Sequence, residues 1–240
     1  MPTSRITVKY LPFVGDVQPP SQLKKEETGT MFSPALTVHE GLENSRRLGA
    51  LSGSDRRAVT VVEFGTLLLL GASAAVLSAF LKRGTGIPGS NIILVVFPMA
   101  FGLALVPRHG AASVMGFSAM GSAGVFCFVG TAAIGCGALT SLALTGILID
   151  VALRGAQSGR GIYARLMLAG LSANMAAFLI RAGAKILLGP GHSGKPLALW
   201  WQYAIVTYAV CGLLAGAISA AVWFRFAARN KANPTGGAAS

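Results

Sequence analysis

Long runs of apolar residues, separated by short polar breaks, cover most of the chain after residue 58. The 166 residues from Val59 to Phe224 contain two acids, Glu63 and Asp150. The stretch from Gly110 to Ile149 is forty residues long and has no Asp, Glu, Lys, Arg or His. A membrane-spanning helix needs about 20 mostly apolar residues, and a helix satisfies all of its backbone groups internally. The pattern therefore predicts an integral membrane protein.

The apolar runs divide into six predicted helices of an all-α membrane bundle. The breaks between them hold bases, Gly and Pro, as in Pro107-Arg108-His109. The forty-residue run is too long for one span, and we divide it at Gly130-Thr131. The second span is short and carries Pro98, which predicts a kink. The predicted spans are Val59–Leu81, Asn91–Val106, Ala111–Val129, Ile134–Leu153, Ala164–Leu187 and Leu197–Phe224.

The two ends of the chain have a different composition. Residues 1–58 hold eight bases and six acids and are rich in Ser, Thr, Pro and Gly. This composition predicts a largely disordered tail with one short helix near Val38 to Arg47, and we expect no secretory signal peptide in it. The predicted organisation is a tail at 1–58, a six-helix transmembrane domain at 59–228 and a short polar C-terminal tail at 229–240.

The charge is strongly basic but unevenly placed. The net charge is +12, yet charged residues make up 12% of the chain, against about 25% in soluble proteins. After residue 58 the bases lie mostly at the ends of apolar runs, where they set orientation and contact anionic lipid heads, so we expect no nucleic-acid partner. With the N-terminus inside, eleven bases fall on the cytoplasmic side and five outside. Both termini are therefore predicted in the cytoplasm, in a multi-pass inner (cytoplasmic) membrane protein.

No motif supports catalysis, a metal or a cofactor. The loop at 189–195 has the spacing of a phosphate-binding loop, but Pro196 replaces the hydroxyl residue, and a Gly/Pro connector is favoured. The segment Gly116–Gly121 lacks a Gly two residues after Ser118 and has no helical His to act as base. The three cysteines lie inside apolar runs, which argues against a disulfide framework or zinc site. We expect that the protein is not an enzyme and holds no metal.

Small residues recur at four-residue spacing along three of the predicted helices. Such ridges let helix backbones approach closely. Internal packing is one interpretation and a docking surface for another membrane protein is the other. The ridges are Gly71, Ala75 and Ala79 on the first span, Ala169, Ala173 and Ala177 on the fifth, and Gly212, Gly216 and Ala220 on the sixth.

Polar residues inside apolar spans are candidates for function. Glu63 and Asp150 lie near the predicted cytoplasmic side, and we expect them to reach the interface or pair with nearby Arg. A second group lies near the outer side. Its aromatic members are typical of an interfacial belt, and the alternative is a solute pocket with stacking rings and a cation for an anionic group. The candidate solute-binding residues are Asn174, Arg181, Lys185, Trp200, Trp201 and Tyr203.

Two segments are similar to those of a known family, namely Ala75-Val76-Leu77-Ser78-Ala79, and Gly137–Asp150 followed by Asn174. Through them, residues 59–228 resemble the substrate-binding subunits (S components) of energy-coupling factor transporters. The resemblance implies a six-helix subunit that binds a vitamin or similar micronutrient. It also implies contact of the first-helix ridge, Gly71, Ala75 and Ala79, with a transmembrane coupling protein that works with ABC ATPases.

Two functions follow from these features. The leading hypothesis is a solute-binding membrane subunit of an uptake system, energised by partner ATPases. The alternative is a non-catalytic scaffold or assembly protein that recruits partners through its N-terminal tail. A membrane enzyme ranks lowest because no catalytic pair shares a span with suitable spacing.

Overall fold

The computed structural model describes residues 36–49, 59–81, 88–130, 136–188 and 197–227, with backbone alone at 136, 137, 185, 188 and 197–200. Over these residues the protein is all-helical, and its extended pairings are two isolated bridges. The helices are α1 (Glu40–Ser45), α2 (Val61–Phe80), α3 (Ile92–Leu105), α4 (Ala111–Phe128), α5 (Cys136–Leu153), α6 (Gly159–Leu188) and α7 (Leu197–Trp223).

Helices α2 to α7 coincide with the six predicted apolar runs. Among the residues that the structure describes, four segments are long and apolar enough to cross a membrane, namely Val61–Phe80, Ala111–Phe128, Gly159–Ala184 and Trp201–Trp223. Helix α3 and the apolar part of α5 are shorter. By length and composition the protein is therefore a helical membrane protein, while six crossings remain a prediction.

The largest difference in helix bounds is at the start of α6, which begins at Gly159 instead of Ala164. The Arg165 guanidinium donates hydrogen bonds to the carbonyl oxygens of Ala152 and Arg154 at the end of α5. A cation in this place satisfies the carbonyls that a helix end leaves unpaired.

The shortest of the six apolar helices, α3, lies at the centre of the bundle. It packs between α2 and α7 and also touches α4, α5 and α6. Nine of its fourteen residues are buried, among them Val96, Met99 and Leu103. The other helices surround it, with α4 beside α2, α5 beside α4, α6 beside α5 and α7 beside α6.

Small residues set the contacts between the outer helices. A Cβ added at Gly212 would overlap the Gly170 carbonyl oxygen, and one at Gly216 would overlap that of Leu166. Gly146 lies equally close to the Ala112 carbonyl oxygen of α4. Bare backbones therefore touch at the α6–α7 and α4–α5 crossings, which confirms internal packing for the ridge on α7.

One end of the bundle gathers most of the described bases, and we call it the basic end. It is formed by residues 36–49, 107–110, 154–160 and 224–227. It carries Arg46, Arg47, Arg108, Arg154, Arg160 and Arg225. The opposite end, where α2 and α6 finish and α3 and α7 begin, is the distal end. This division agrees with the charge asymmetry of the sequence.

The N-terminal segment, residues 36–49, lies across the basic end. Its backbone pairs with the α3–α4 connection, since the His39 amide donates to the Pro107 carbonyl at 2.8 Å and the His109 amide to that of Thr37 at 2.9 Å. Leu42 is buried in the main core. The short helix predicted near Val38 to Arg47 is confirmed as α1, and these backbone bonds and the buried Leu42 hold residues 36–49 on the bundle.

A buried ion pair joins α2 to the α3–α4 connection. The Arg108 guanidinium lies 3.1 Å from the Glu63 carboxylate and also donates to the Leu36 carbonyl at 3.0 Å. Glu63 in turn accepts a hydrogen bond from the Thr60 amide, while the Thr60 hydroxyl accepts one from the Glu63 amide. This capping box and the ion pair confirm that Glu63 pairs with an Arg at the basic end.

We predict that Gly216→Ala destabilises the bundle, because its methyl group would meet the backbone of α6 at Leu166. Such overpacking costs about 1–3 kcal/mol. The matched control is Gly183→Ala, a position in α6 whose added Cβ has no neighbour within 4 Å. Thermal unfolding in detergent should show a lower midpoint for the first variant, and equal midpoints for both would contradict the close α6–α7 crossing.

Removing one member of the buried ion pair should leave an uncompensated charge. We expect Glu63→Ala to cost about 3–5 kcal/mol of unfolding free energy. Because Glu63 and Arg108 touch, a double Ala variant should lose less than the sum of the single variants in a double-mutant cycle. Additive losses in denaturant titrations would show that the pair contributes nothing.

Candidate functional site

Asn174 ties three parts of the distal end together. It is 3% exposed, and its side-chain amide donates to the carbonyl oxygens of Tyr208 at 2.6 Å and Gly89 at 3.2 Å. Gly89 has a φ of +85° and lies in the turn before α3, a backbone conformation that glycine adopts without strain. Both amide hydrogens of Asn174 are therefore used within the protein, so Asn174 positions α6, α7 and the turn at 88–91.

Arg181 lies two turns beyond Asn174 on α6 and is held by α7. Its guanidinium donates a hydrogen bond to the Tyr208 hydroxyl at 2.8 Å. The Tyr208 ring is buried, and it packs against Phe178 with ring centroids 5.5 Å apart. Arg181 itself is exposed. A guanidinium has five N–H donors, and this contact fixes its direction while it leaves donors for an anion.

The other predicted solute-binding residues differ in where the structure places them. Trp201 is 45% exposed and lies seven residues before Tyr208, so both share one face of α7. Tyr203 is 58% exposed and lies five residues before Tyr208, which places it about 140° around the helix, away from Arg181. The backbones of Lys185 and Trp200 belong to α6 and α7, and their side chains lie outside the described part of the chain.

The predicted partner interface on α2 is used within the bundle. Gly71 and Ala75 are buried, and a Cβ at Gly71 would overlap the Met115 carbonyl oxygen of α4. Ala79 is partly buried. Internal packing therefore accounts for Gly71 and Ala75. The exposed face of α2 carries Leu69, Val76 and Phe80 instead.

Tyr208 was missed by the sequence reasoning. A tyrosine in the middle of an apolar helix needs a partner for its hydroxyl, and Arg181 and Asn174 are spaced at 7 residues on the facing helix. These two features of the sequence could have indicated that Tyr208 contacts Arg181.

The loop motif at 189–195 lies outside the described residues. Ser118 of the other motif donates to the Leu68 carbonyl at 2.7 Å, so it joins α4 to α2.

A second polar cluster lies at the basic end. His39 Nε2 donates to the Leu153 carbonyl at 2.8 Å, and His39 Nδ1 accepts from the Leu42 amide at 3.3 Å. The His109 ring lies 4.3 Å from that of His39. These two bonds hold the His39 ring against the end of α5 and the start of α1.

We expected Asp150 to reach the interface or to pair with a nearby Arg, and it bonds to backbone amides of α4. Its carboxylate accepts hydrogen bonds from the backbone amides of Ala112 at 3.2 Å and Ser113 at 2.6 Å. It thus caps the N-terminus of α4, where unpaired amides and the helix dipole favour a negative charge.

No protein-family model matches the chain, and neither the curated proteins nor the solved structures give a match. The functional conclusions therefore rest on the residues and their geometry.

Acid should loosen the docking of the N-terminal segment. Burial lowers the pKa of His109 below its ordinary value, His39 and Arg154 lower it further, and Asp150 acts in the opposite direction. The unfolded chain therefore binds this proton more readily than the folded chain. The contribution of neutral His109 to the free energy of unfolding is fully present above about pH 6.5. It is lost as the pH falls through the lower pKa that His109 has in the folded protein.

We expect a lower unfolding temperature at about pH 5.5 than at about pH 7.5 in wild type, and a smaller decrease in His109→Gln. His192→Gln, which alters the third histidine, should retain the wild-type decrease. An unchanged decrease in His109→Gln would contradict the role of this ring.

Proposed function

We propose that the protein is a membrane-embedded solute-binding subunit of an uptake system. It captures a small anionic solute at the distal end, between α6 and α7. The observation that carries this proposal is the hydrogen bond from Arg181 to Tyr208, because it holds an exposed cation in a fixed direction at the end of an apolar bundle. An ordered guanidinium loses less conformational entropy when it binds a carboxylate or phosphate than a mobile one does.

The surroundings of Arg181 support a solute with both a charge and an apolar body. Phe178 and Tyr208 form a small apolar cluster below the guanidinium, together with Ala204. Trp201 lies on the same face of α7, and Lys185 follows Arg181 by one turn of α6. An anionic group would bind the cation while a ring or chain rests on the exposed Trp201 side chain. Carboxylate-bearing vitamins and similar micronutrients have this chemistry.

The proposed subunit depends on partners for energy. Its resemblance to S components supports a transmembrane coupling protein and ABC ATPases as those partners. Because Gly71 faces α4 and Ala75 is buried, a coupling protein that docks on α2 would meet Leu69, Val76 and Phe80. Leucine at Ala75 would disturb the bundle, so Leu69→Ala and Val76→Ala are the better probes of docking.

The N-terminal segment also bears on the scaffold alternative. Residues 36–49 are held by the bundle, so recruitment by a tail would rest on residues 1–35. A truncation that removes 1–35 and retains 36–49 separates the two functions. Loss of function with intact solute binding would favour recruitment, while unchanged function would favour the solute-binding subunit.

The binding site can be tested with the full chain in lipid nanodiscs. We expect a member of a panel of small carboxylates, which includes nicotinate, biotin and pantothenate, to change the tryptophan fluorescence and to give a saturable isotherm. Arg181→Gln should weaken that binding about tenfold or more, since a hydrogen bond to a charged group contributes about 1.5–3 kcal/mol. Tyr208→Phe should weaken it less, because it removes the support and keeps the cation.

The matched control is Arg160→Gln, an exposed arginine at the basic end. It should bind like wild type. Equal affinity in wild type and Arg181→Gln would contradict the site, and equal weakening by Arg160→Gln would show a diffuse charge effect.

A further inference from the structure

A cleft at the basic end lies on the far side of the bundle from Arg181. Its volume is about 380 Å³, and it separates the end of α1 from the residues that follow α7. The cleft is lined by Glu43, Asn44, Arg46, Arg47, Leu48, Gly49 and Arg225. The proposed solute site uses none of these residues, so the two sites are independent.

Backbone pairing fixes the arginines on both sides of the cleft. Arg46 and Phe224 form an antiparallel bridge. The Arg225 amide donates to the Ser45 carbonyl at 2.6 Å, and the Arg47 amide donates to that of Trp223 at 3.1 Å. The Arg47 side chain adds a bond from Nε to the Phe224 carbonyl at 3.0 Å. The cations are thus held near one another despite their mutual repulsion.

The lining has an excess of positive charge and an unused donor. The lining residues include three arginines and one acid, Glu43, so their net charge is +2. The Arg46 Nη1 atom is buried and has no hydrogen-bond partner. A buried donor without an acceptor is costly, and an anion in the cleft would supply the acceptor and offset the repulsion.

The chemistry of these side chains selects a phosphate group. Guanidinium groups bind phosphate oxygens through paired N–H donors. The cleft also lies where the apolar helix α7 ends, at the level where a bilayer presents its headgroups. We propose that this cleft binds a phosphate group, supplied by an anionic phospholipid headgroup or by a soluble phosphate compound.

The test uses the full chain in dodecyl maltoside micelles. It is titrated separately with dioleoyl phosphatidylglycerol, with dioleoyl phosphatidylcholine and with inorganic pyrophosphate. Binding is followed by the shift in unfolding temperature, and native mass spectrometry counts the bound molecules. We expect one phosphatidylglycerol or one pyrophosphate per protein, with phosphatidylcholine bound more weakly than phosphatidylglycerol.

The variants are Arg225→Gln and the double variant Arg46→Gln, Arg225→Gln. Each lost charge-assisted bond should weaken binding about tenfold. The control is Arg154→Gln, an exposed arginine at the same end but outside the cleft, and its affinity should stay within about twofold of wild type. If the double variant fails to fold, the affinity of Arg225→Gln alone tests the proposal. The Arg225 side chain is exposed, so its replacement should leave the fold intact.

The outcomes separate the source of the phosphate from the site itself. Selective binding of phosphatidylglycerol that Arg225→Gln weakens identifies a lipid site, and the same result with pyrophosphate alone identifies a soluble ligand. Equal weakening by Arg154→Gln would overturn the proposal, because the effect would then be general surface charge. Binding of neither phosphatidylglycerol nor pyrophosphate would also overturn it.

Discussion

The ends of the apolar helices must find partners for their backbone groups, and the N-terminal segment supplies them at the basic end. Its residues bond to the connection after α3, to the last residues of α5 and to the end of α7. A helix leaves four carbonyls unpaired at its C-terminus, and inside an apolar bundle each one without a partner is costly. The Leu153 carbonyl accepts from His39 as well as from the Ala156 amide, and the Phe224 carbonyl accepts from Arg47 as well as from the Tyr163 hydroxyl. Residues 36–49 therefore join three helix ends that are far apart in sequence.

Between the two ends, close backbone contact holds the helices. Lipid chains are as apolar as leucine, so burial of apolar surface gives helices little reason to associate in a membrane. Dispersion contacts and a few polar bonds must supply the attraction. Gly170, Gly212 and Gly216 bring the backbones of α6 and α7 together, and Asn174 then bonds across this contact to the Tyr208 carbonyl. The glycines thus make possible the polar bond that orders the distal end.

The helices could be predicted from the sequence, but the polar contacts between them could not. Apolar runs bounded by Pro107 and Gly110 fix helix ends locally, and Gly110 does take a positive φ of 82°. The docking of His39 depends on carbonyls more than 60 residues away, which no local pattern encodes. The candidate site divides in the same way. Arg181 bonds to Tyr208 and Trp201 lies on the Tyr208 face of α7, whereas Tyr203 shares the aromatic composition of the group but turns to another face of α7.

The two ends of the bundle use their cations differently, and this difference explains where binding chemistry can reside. At the basic end, Arg108 is neutralised by Glu63, and Arg165 caps α5. Their bonds are structural, so these cations have little capacity for a ligand. Arg46 and Arg225 border the cleft without such a role for their side chains. At the distal end, Arg181 gives one hydrogen bond to a neutral hydroxyl, which orients the guanidinium but leaves its charge in place. An oriented cation that retains its charge attracts anions more strongly than one that a carboxylate has neutralised. Recognition of anions is therefore expected where an arginine is positioned by neutral groups, and stability where it is paired with a carboxylate.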